Sequence, residues 1–179
     1  LKMANNVWNP GDTLQASIGQ SDHAFTPLQL AMYTATIAND GTRYRARLVK
    51  TVVSKDHSEV LVEDKPEVLG KVNASLHAFE DVKEGMLSVT EDGTARTVFG
   101  SGYPISVGGK TGSAEVYKGS ANAVFIAFAP YENPEIAVAI VVEHGWHGYS
   151  TAGIAKAIFN EYFFADSASY SPQSGVLLQ

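Results

Sequence analysis

Val107-Gly-Gly-Lys-Thr-Gly-Ser-Ala-Glu-Val116 is the stretch that decides the fold, because it predicts a short strand with an ammonium group, two hydroxyls and exposed backbone amides. Such groups are suited to hold a carboxylate beside a reacting carbonyl. Glycines 108, 109 and 112 flank Lys110 and Thr111, so we expect a ligand backbone to lie directly against the strand. A Lys-Thr-Gly triplet alone also fits an ordinary edge strand with a bulge. Only the surrounding sequence can distinguish such a strand from a ligand-binding one.

Composition indicates a folded domain that does not bind nucleic acid. The 179 residues are 45% hydrophobic, which is ample for a packed core. Thirteen basic and 19 acidic residues give a net charge of -6, without a basic run that could follow a phosphate backbone. The absence of cysteine excludes disulfides, thiolate zinc sites and a cysteine nucleophile. No stretch approaches the roughly 18 to 20 apolar residues of a membrane span, and the N-terminus resembles neither a signal peptide nor an initiating methionine, so we expect a segment of a longer protein.

The first third predicts one helix after a polar segment. Gly11 to Phe25 is polar and rich in turn formers. Thr26-Pro27 then supplies an N-cap followed by proline at the first helical position. The apolar residues from Leu28 to Ala38 cover more than one face, which predicts a buried core helix that stops at Asn39-Asp40-Gly41.

The middle of the chain predicts a hairpin and a second helix. Valine-rich segments 47–54 and 59–62 flank Lys55-Asp56-His57-Ser58, which is typical of a hairpin with a solvated tip. Apolar residues from Leu76 to Val89 fall at helical spacing and predict an amphipathic helix, followed by a short segment from Thr94 to Phe99.

The last third predicts two buried strands and a terminal helix. Asn122 to Ala129 and Ile136 to Glu143 are nearly continuous apolar runs joined by a proline-rich loop, and we expect both to be buried on both faces. Thr151 to Phe164 has the apolar stripe of a helix that covers them. The tail after Ala165 is rich in Ser, Tyr, Pro and Gly, and we expect it to be mobile.

The order and spacing of several short motifs resemble a known family. They are Gly11-Asp12-Thr13, Ser17-Ile18-Gly19-Gln20, Thr26-Pro27-Leu28-Gln29-Leu30-Ala31, Asn39-Asp40-Gly41-Thr42, Gly93-Thr94-Ala95 and Gly109-Lys110-Thr111-Gly112-Ser113-Ala114-Glu115. Together they resemble the C-terminal portion of a penicillin-binding protein transpeptidase domain, class B, the branch that includes penicillin-binding protein 2. Lys-Thr-Gly is a recognised motif of this superfamily. The resemblance covers nearly everything from Pro10 to Phe164.

The resemblance implies acyl transfer through a serine ester. In the family, a Ser in a Ser-x-x-Lys motif attacks a D-alanyl-D-alanine stem peptide, an amine resolves the acyl-enzyme into a cross-link, and a β-lactam stalls the same route. No Ser-x-x-Lys occurs among the 179 residues. Ser120-Ala121-Asn122 has the family's Ser-x-Asn pattern but follows Lys110 instead of preceding it, so we interpret it as part of a turn. We therefore expect the isolated chain to lack the nucleophile and to be inactive.

The resemblance also assigns roles along the Lys-Thr-Gly strand. Lys110 and Ser113 are the expected catalytic residues, since the ammonium raises the positive potential at the serine and the Ser113 N–H forms half of an oxyanion hole. Lys110, Thr111, Gly112 and Ser113 are the expected substrate-binding residues, with the two hydroxyls donating to the substrate carboxylate. No cofactor and no metal is expected.

Other polar residues have simpler interpretations. His144 and His147 have metal-ligand spacing but no third ligand, so surface histidines after a strand are favoured. For Arg96 a solvated helix charge is favoured over a position facing the cleft, while a place at the cleft rim for Tyr117 and Lys118 stays open. Asp22 and His23 receive no catalytic role.

The expected fold is mixed α/β (α+β): an antiparallel sheet covered by helices, β-lactamase/transpeptidase-like and incomplete. We expect residues 1–166 to be the C-terminal portion of the transpeptidase domain and residues 167–179 to be a flexible tail. The family sheet has five strands, so an open edge is expected, to be covered by the tail, by the remainder of the domain or by a second copy in a homo-oligomer.

Two classes of function remain open. The favoured one is part of a peptidoglycan D,D-transpeptidase at the extracytoplasmic face of the bacterial cell membrane, with its anchor outside this chain and with stem peptides and β-lactams as ligands. The alternative is a non-catalytic penicillin-recognising or peptidoglycan-binding sensor module. A serine β-lactamase fits less well, because the helix start at Thr26-Pro27-Leu28-Gln29-Leu30-Ala31 is a transpeptidase trait.

Overall fold

The computed structural model of the chain describes residues 8–20 and 23–165, which form five α-helices, one 3-10 helix (Gly148–Thr151) and seven strands. The helices are α1 Pro10–Ser17, α2 Pro27–Ala38, α3 Leu76–Glu91, α4 Arg96–Phe99 and α5 Ala152–Phe164. The strands are β1 Thr42–Tyr44, β2 Thr51–Val53, β3 Val60–Glu63, β4 Val68–Lys71, β5 Gly108–Ala114, β6 Asn122–Ala129 and β7 Ile136–Val142. Residues 167–179 lie outside the described residues, so the expected mobile tail stays a prediction. Within the described ranges, no helix is both long enough and apolar enough to cross a membrane.

A three-stranded antiparallel sheet, in the order β5-β6-β7, organises the chain. β5 pairs with β6 from Gly108 opposite Phe128 to Ala114 opposite Asn122. β6 pairs with β7 without a register shift. The short loop between them brings these consecutive strands side by side. The predicted adjacency of the three strands is confirmed.

Helices cover both faces of this sheet and form one core on each. On one face, Phe125 packs with Phe99 of α4 and Phe159 of α5. On the other face, Phe128 packs with Ile37 of α2 and Met86 of α3. The alternation of side chains along β6 sends its two phenylalanines to opposite sides. The mixed α/β class with an antiparallel sheet covered by helices is therefore confirmed.

Helix α1 lies at the start of the polar stretch from Gly11 to Phe25, where no helix was predicted from the sequence. Asn9 caps the helix, its N–H donates to the Asp12 carboxylate at 2.6 Å, and Pro10 occupies the first turn. No residue of α1 is buried. A search for an apolar stripe therefore cannot find this helix. The capping residues do indicate it, as they indicate α2.

Fewer residues of α2 and β7 are buried than the apolar runs in the sequence predict. In α2 only Thr34, Thr36 and Ile37 are buried, while Leu28 and Tyr33 are more than half exposed. In β7, Val138 and Ile140 are buried on the α5 side, and Ala137, Ala139 and Val141, which face the other side, are only half-buried. The expectation that both strands are buried on both faces is only partly met by β6, where Val124 and Ile126 are half-buried, and is wrong for β7, which is an edge strand of the described sheet.

The segment between α2 and α3 forms two small ladders. β2 pairs with β3 as the predicted hairpin, and β1 pairs with β4, a ladder that the sequence did not predict. At the hairpin tip the hydroxyls of Ser54 and Ser58 donate to Asp56 and lower the pKa of its carboxyl to about 2. The tip is thus stabilised by its own polar side chains.

Gly41 ends α2 at a position where another residue does not fit. Its φ is +88°, and a Cβ would lie 2.6 Å from the Phe79 ring. We expect Gly41→Ala to lower the free energy of unfolding by about 2 kcal/mol or more, through backbone strain and overpacking. The matched control is Gly85→Ala, an exposed position inside α3 with no atom within 4 Å of an added Cβ, which should stabilise by about 1 kcal/mol. Chemical unfolding of both variants checks this, and equal midpoints would contradict it.

Candidate functional site at the outer edge of strand β5

The strand β5 divides its polar side chains between the two faces of the sheet. Lys110 and Gly112 pair with Ile126 and Val124, on the face that α2 and α3 cover. Thr111 pairs with Phe125, so Thr111 and Ser113 project to the face of α4 and α5. A flat arrangement of all three polar side chains on one face is therefore excluded.

These groups meet again at the outer edge of β5, the edge turned away from β6. The Thr111 carbonyl accepts a hydrogen bond from Lys110 Nζ at 2.8 Å, and the Ser113 carbonyl accepts one from Gln20 Nε2 at 2.9 Å. Both carbonyls are thus turned away from β6. In an antiparallel strand the N–H and C=O of one residue point to the same side, so the Ser113 N–H faces the outer edge as well.

Side chains close the outer edge at both ends. Before the strand, the Thr90 hydroxyl donates to the Val107 carbonyl. After it, Gln20 accepts from the Glu115 N–H at 3.4 Å in addition to its bond to Ser113. Between these two points lies a stretch from 109 to 113, which we call the open segment. The five residues of the open segment are enough to pair with a short extended peptide.

Three different polar groups line the open segment. The Lys110 side chain is exposed and bends round the strand, and its ammonium keeps two N–H donors beyond the one given to Thr111. The half-buried Thr111 hydroxyl shares a hydrogen bond of 3.0 Å with the Thr94 hydroxyl. Ser113 is exposed. The structure thus brings together the ammonium, the hydroxyls and the strand amide that the sequence selected.

Two of the three glycines near Lys110 serve internal packing, which corrects their expected role. A Cβ on Gly108 would lie 2.5 Å from the Phe128 ring, and one on Gly109 would lie 2.9 Å from the Phe125 ring. Gly112 is different, since its nearest neighbour would be Val124 Cβ at 3.4 Å, an ordinary contact. Only Gly112 therefore fits the expectation of a bare strand offered to a ligand.

The remaining candidates lie away from the open segment or have local partners. His144 is part of the turn after β7, where its N–H donates to the Asn122 side chain and its ring bonds to the Ser120 carbonyl at 3.0 Å. The ring of His147 stacks on Tyr149. Across residues 8–20 and 23–165, no group of three or more His, Cys, Asp or Glu side chains is arranged to hold a metal ion.

Five further residues were candidates from the sequence. Arg96 is exposed at the first position of α4, as a solvated charge should be. Tyr117 lies just beyond β5 with 97% of its surface exposed, and Lys118 beside it is exposed too. His23 bonds to the Ala16 carbonyl at 3.2 Å, and residue 22 lies outside the described residues.

Sequence reasoning missed two residues that touch β5. Thr94 and Gln20 both belong to motifs that carried the family resemblance, but nothing in their spacing indicated a partner. Gln20 and Ser113 are 93 positions apart, and Thr94 and Thr111 are 17 apart. Only the folded chain brings them together.

The glycine contacts predict different outcomes for two alanine substitutions in β5. Gly108→Ala should lower the free energy of unfolding by about 1 to 3 kcal/mol, because the Phe128 ring must move. Gly112→Ala should change it by less than about 1 kcal/mol, because its Cβ meets ordinary contacts. Thermal unfolding of the two variants checks the difference, and a larger loss for Gly112→Ala would refute the packing role of Gly108.

Comparison with known proteins gives this geometry a family context. The chain is 33% identical over 177 residues to the Peptidoglycan D,D-transpeptidase MrdA of Acinetobacter baumannii, covering 89% of the chain and 25% of that protein. Crystalline Pseudomonas aeruginosa PBP2, in complex with WCK 5153, is similar with a TM-score of 0.75 and 31% identity, over 98% of this chain and 38% of that one.

A third relative was solved as an acyl-enzyme. Penicillin-binding protein A from M. tuberculosis, in its imipenem acyl-enzyme complex, has a TM-score of 0.64 and 30% identity, over 80% of this chain and 33% of that one. The chain spans about a quarter of the length of the curated relative. The model of the "Penicillin binding protein transpeptidase domain" matches residues 3–163. The chain belongs to the penicillin-binding protein transpeptidase domain family.

Proposed function

We propose that this chain is the C-terminal portion of a peptidoglycan D,D-transpeptidase, which cross-links stem peptides through a serine acyl-enzyme and binds β-lactams. The observation that carries the proposal is the open segment of β5, with the Lys110 ammonium, the Thr111 hydroxyl and the Ser113 N–H on one edge. The family membership and the D,D-transpeptidase name of the Acinetobacter relative support it.

A peptide that ends in D-Ala-D-Ala matches the open segment in shape and charge. An extended chain can add to a free strand edge through main-chain hydrogen bonds. Its terminal carboxylate then meets the Lys110 ammonium and the Thr111 and Ser113 hydroxyls, which form charge-assisted hydrogen bonds. The strand edge thus sets the direction of the bound peptide, and the contacts to its terminal carboxylate set its register along the strand.

The Ser113 N–H is placed to act on the scissile carbonyl. Attack by a serine Oγ turns that carbonyl oxygen into an oxyanion, and a strand N–H aimed at it stabilises the developing charge. Collapse of the intermediate releases the terminal D-alanine as an amine, which takes up a proton, and leaves a serine ester for the amine of a second stem peptide. The chain supplies one oxyanion donor and the carboxylate grip.

The nucleophile belongs to the part of the enzyme outside this chain. No Ser-x-x-Lys occurs in the 179 residues, and the relatives are about four times as long. We propose that the remainder of the transpeptidase domain pairs with the free edge of β7 and completes the site. A second copy of the chain at that edge is the competing arrangement.

Covalent labelling tests the proposal. The whole protein that contains this chain should acquire one covalent adduct from a fluorescent penicillin, and the isolated 179-residue chain should acquire none, because it contains no Ser-x-x-Lys nucleophile and only one of the two oxyanion donors. Gel fluorescence and intact mass measure both. A mass shift on any serine of the isolated chain would refute the missing nucleophile, and reversible binding without an adduct in the whole protein would favour the sensor module.

The two hydroxyls at the open segment predict a graded loss of acylation. Thr111→Val should slow acylation of the whole enzyme by roughly 10- to 100-fold, since it removes a hydrogen bond to a charged group. Thr94→Val should slow it by about 2- to 10-fold, since it only frees the Thr111 hydroxyl. Thr97→Val, at an exposed position of α4, is the matched control and should react like the wild type. Equal acylation rates for Thr111→Val and Thr97→Val would contradict a hydrogen bond from Thr111 to the ligand carboxylate.

The proposed activity implies the ligands and the cellular location of the whole enzyme. Stem peptides and β-lactams are the proposed ligands, and no cofactor is part of the reaction. We place the enzyme at the extracytoplasmic face of the bacterial cell membrane, where its substrate lies, with an anchor outside this chain.

A further inference from the structure

The side-chain amide of Gln20 forms a bridge on the outer edge of β5. Its Nε2 donates to the Ser113 carbonyl at 2.9 Å, and its Oε1 accepts from the Glu115 N–H at 3.4 Å. A carboxamide with one donor and one acceptor in use binds the edge as a peptide group of a neighbouring strand does. Gln20 is half-buried, although the helix before it has no buried residue.

The turn after α1 aims this side chain. Gly19 has a φ of +78°, and the Gln20 N–H donates to the Gln15 carbonyl at 3.0 Å. The left-handed residue reverses the chain at the helix end, as glycine does in helix C-caps. The backbone of Gln20 is thus held by α1 while its amide reaches the strand.

The bridge lies where β5 loses its sheet partner. The last pair with β6 is Ala114 opposite Asn122, and Glu115 follows it outside the ladder. By tying the Ser113 carbonyl to the Glu115 N–H, Gln20 keeps the chain extended past that pair. Because a carbonyl oxygen has two lone pairs, and the bridge does not use the Ser113 N–H, the edge stays available to a ligand.

We infer that Gln20 is a positioning residue for the oxyanion side of the site, because its bridge fixes the direction of the Ser113 N–H at the end of the open segment. The hydrogen bonds of the Gln20 side chain go to backbone atoms of Ser113 and Glu115, so Gln20 acts through the strand and not on the substrate. Its effect on acylation rests on the proposed function, whereas its effect on the Ser113 to Glu115 backbone does not.

Two substitutions separate positioning from packing. Gln20→Ala removes both hydrogen bonds, and Gln20→Glu keeps the size and the acceptor for Glu115 while it turns a carboxylate oxygen towards the Ser113 carbonyl. The matched control is Gln15→Ala, an exposed glutamine in α1. All variants are made in the whole protein, and their thermal midpoints are recorded.

The measurements are amide hydrogen exchange over residues 113–117 and the second-order rate of acylation by a fluorescent penicillin. In Gln20→Ala we expect faster exchange and an acylation rate about 3- to 10-fold lower. In Gln20→Glu we expect a loss at least as large, because two acceptors then face each other. Gln15→Ala should match the wild type in both measurements.

Several results would overturn the inference. Unchanged exchange and acylation in Gln20→Ala would remove the role, and so would full activity in Gln20→Glu, since size alone would then suffice. Faster acylation in Gln20→Ala would mean that the amide competes with the ligand for the Ser113 carbonyl. An equal loss in Gln15→Ala would point to α1 as a whole. If the wild type is not acylated, the proposed function fails, and exchange at 113–117 still supports or overturns the bridge.

Discussion

Pairing of β6 with strands on both sides is the constraint on which the rest of the structure depends. Phe125 and Phe128 project from opposite faces of β6 and form the centres of the two cores. Each ring also reaches across to β5, where only a glycine leaves room for it. Gly148 extends this close packing, since a Cβ there would run into the backbone oxygens of Gly112 and Val124. β5 is thus packed closely against β6, and its outer edge pairs with no other strand of the described sheet.

The outer edge acquires its chemistry from strand geometry. Alternation sends Lys110 and Thr111 to opposite faces, yet the long lysine side chain brings its ammonium back to the Thr111 carbonyl. Thr90 and Gln20 close the edge at its two ends by hydrogen bonds to backbone groups. A ligand that adds to the edge therefore meets a segment of defined length with a cation near its middle and a directed N–H at its end.

Local signals predicted most of the elements and failed where burial depends on neighbours. The strand that became β6 and the helix start at Thr26 follow from apolar runs and capping residues, and both are confirmed. The same apolar content misled for β7 and for the outer side of α2, where Leu28 and Tyr33 stay exposed. Helix α1 was missed because it has capping residues without an apolar stripe, and the β1 and β4 ladder was missed because its paired residues lie 24 or more positions apart.

The sequence by itself determined the order of most elements, the family resemblance and the selection of Lys110, Thr111 and Ser113 as candidate site residues, because capping, periodicity and short motifs are local properties of the chain. The tertiary structure decided which groups meet at the edge: the bridge from Gln20, the hydroxyl pair of Thr94 and Thr111, and the packing role of Gly108. These contacts join residues up to 95 positions apart, and no local pattern encodes such a distance. Sheet register and the path of α1 bring them together, and both are properties of the whole fold.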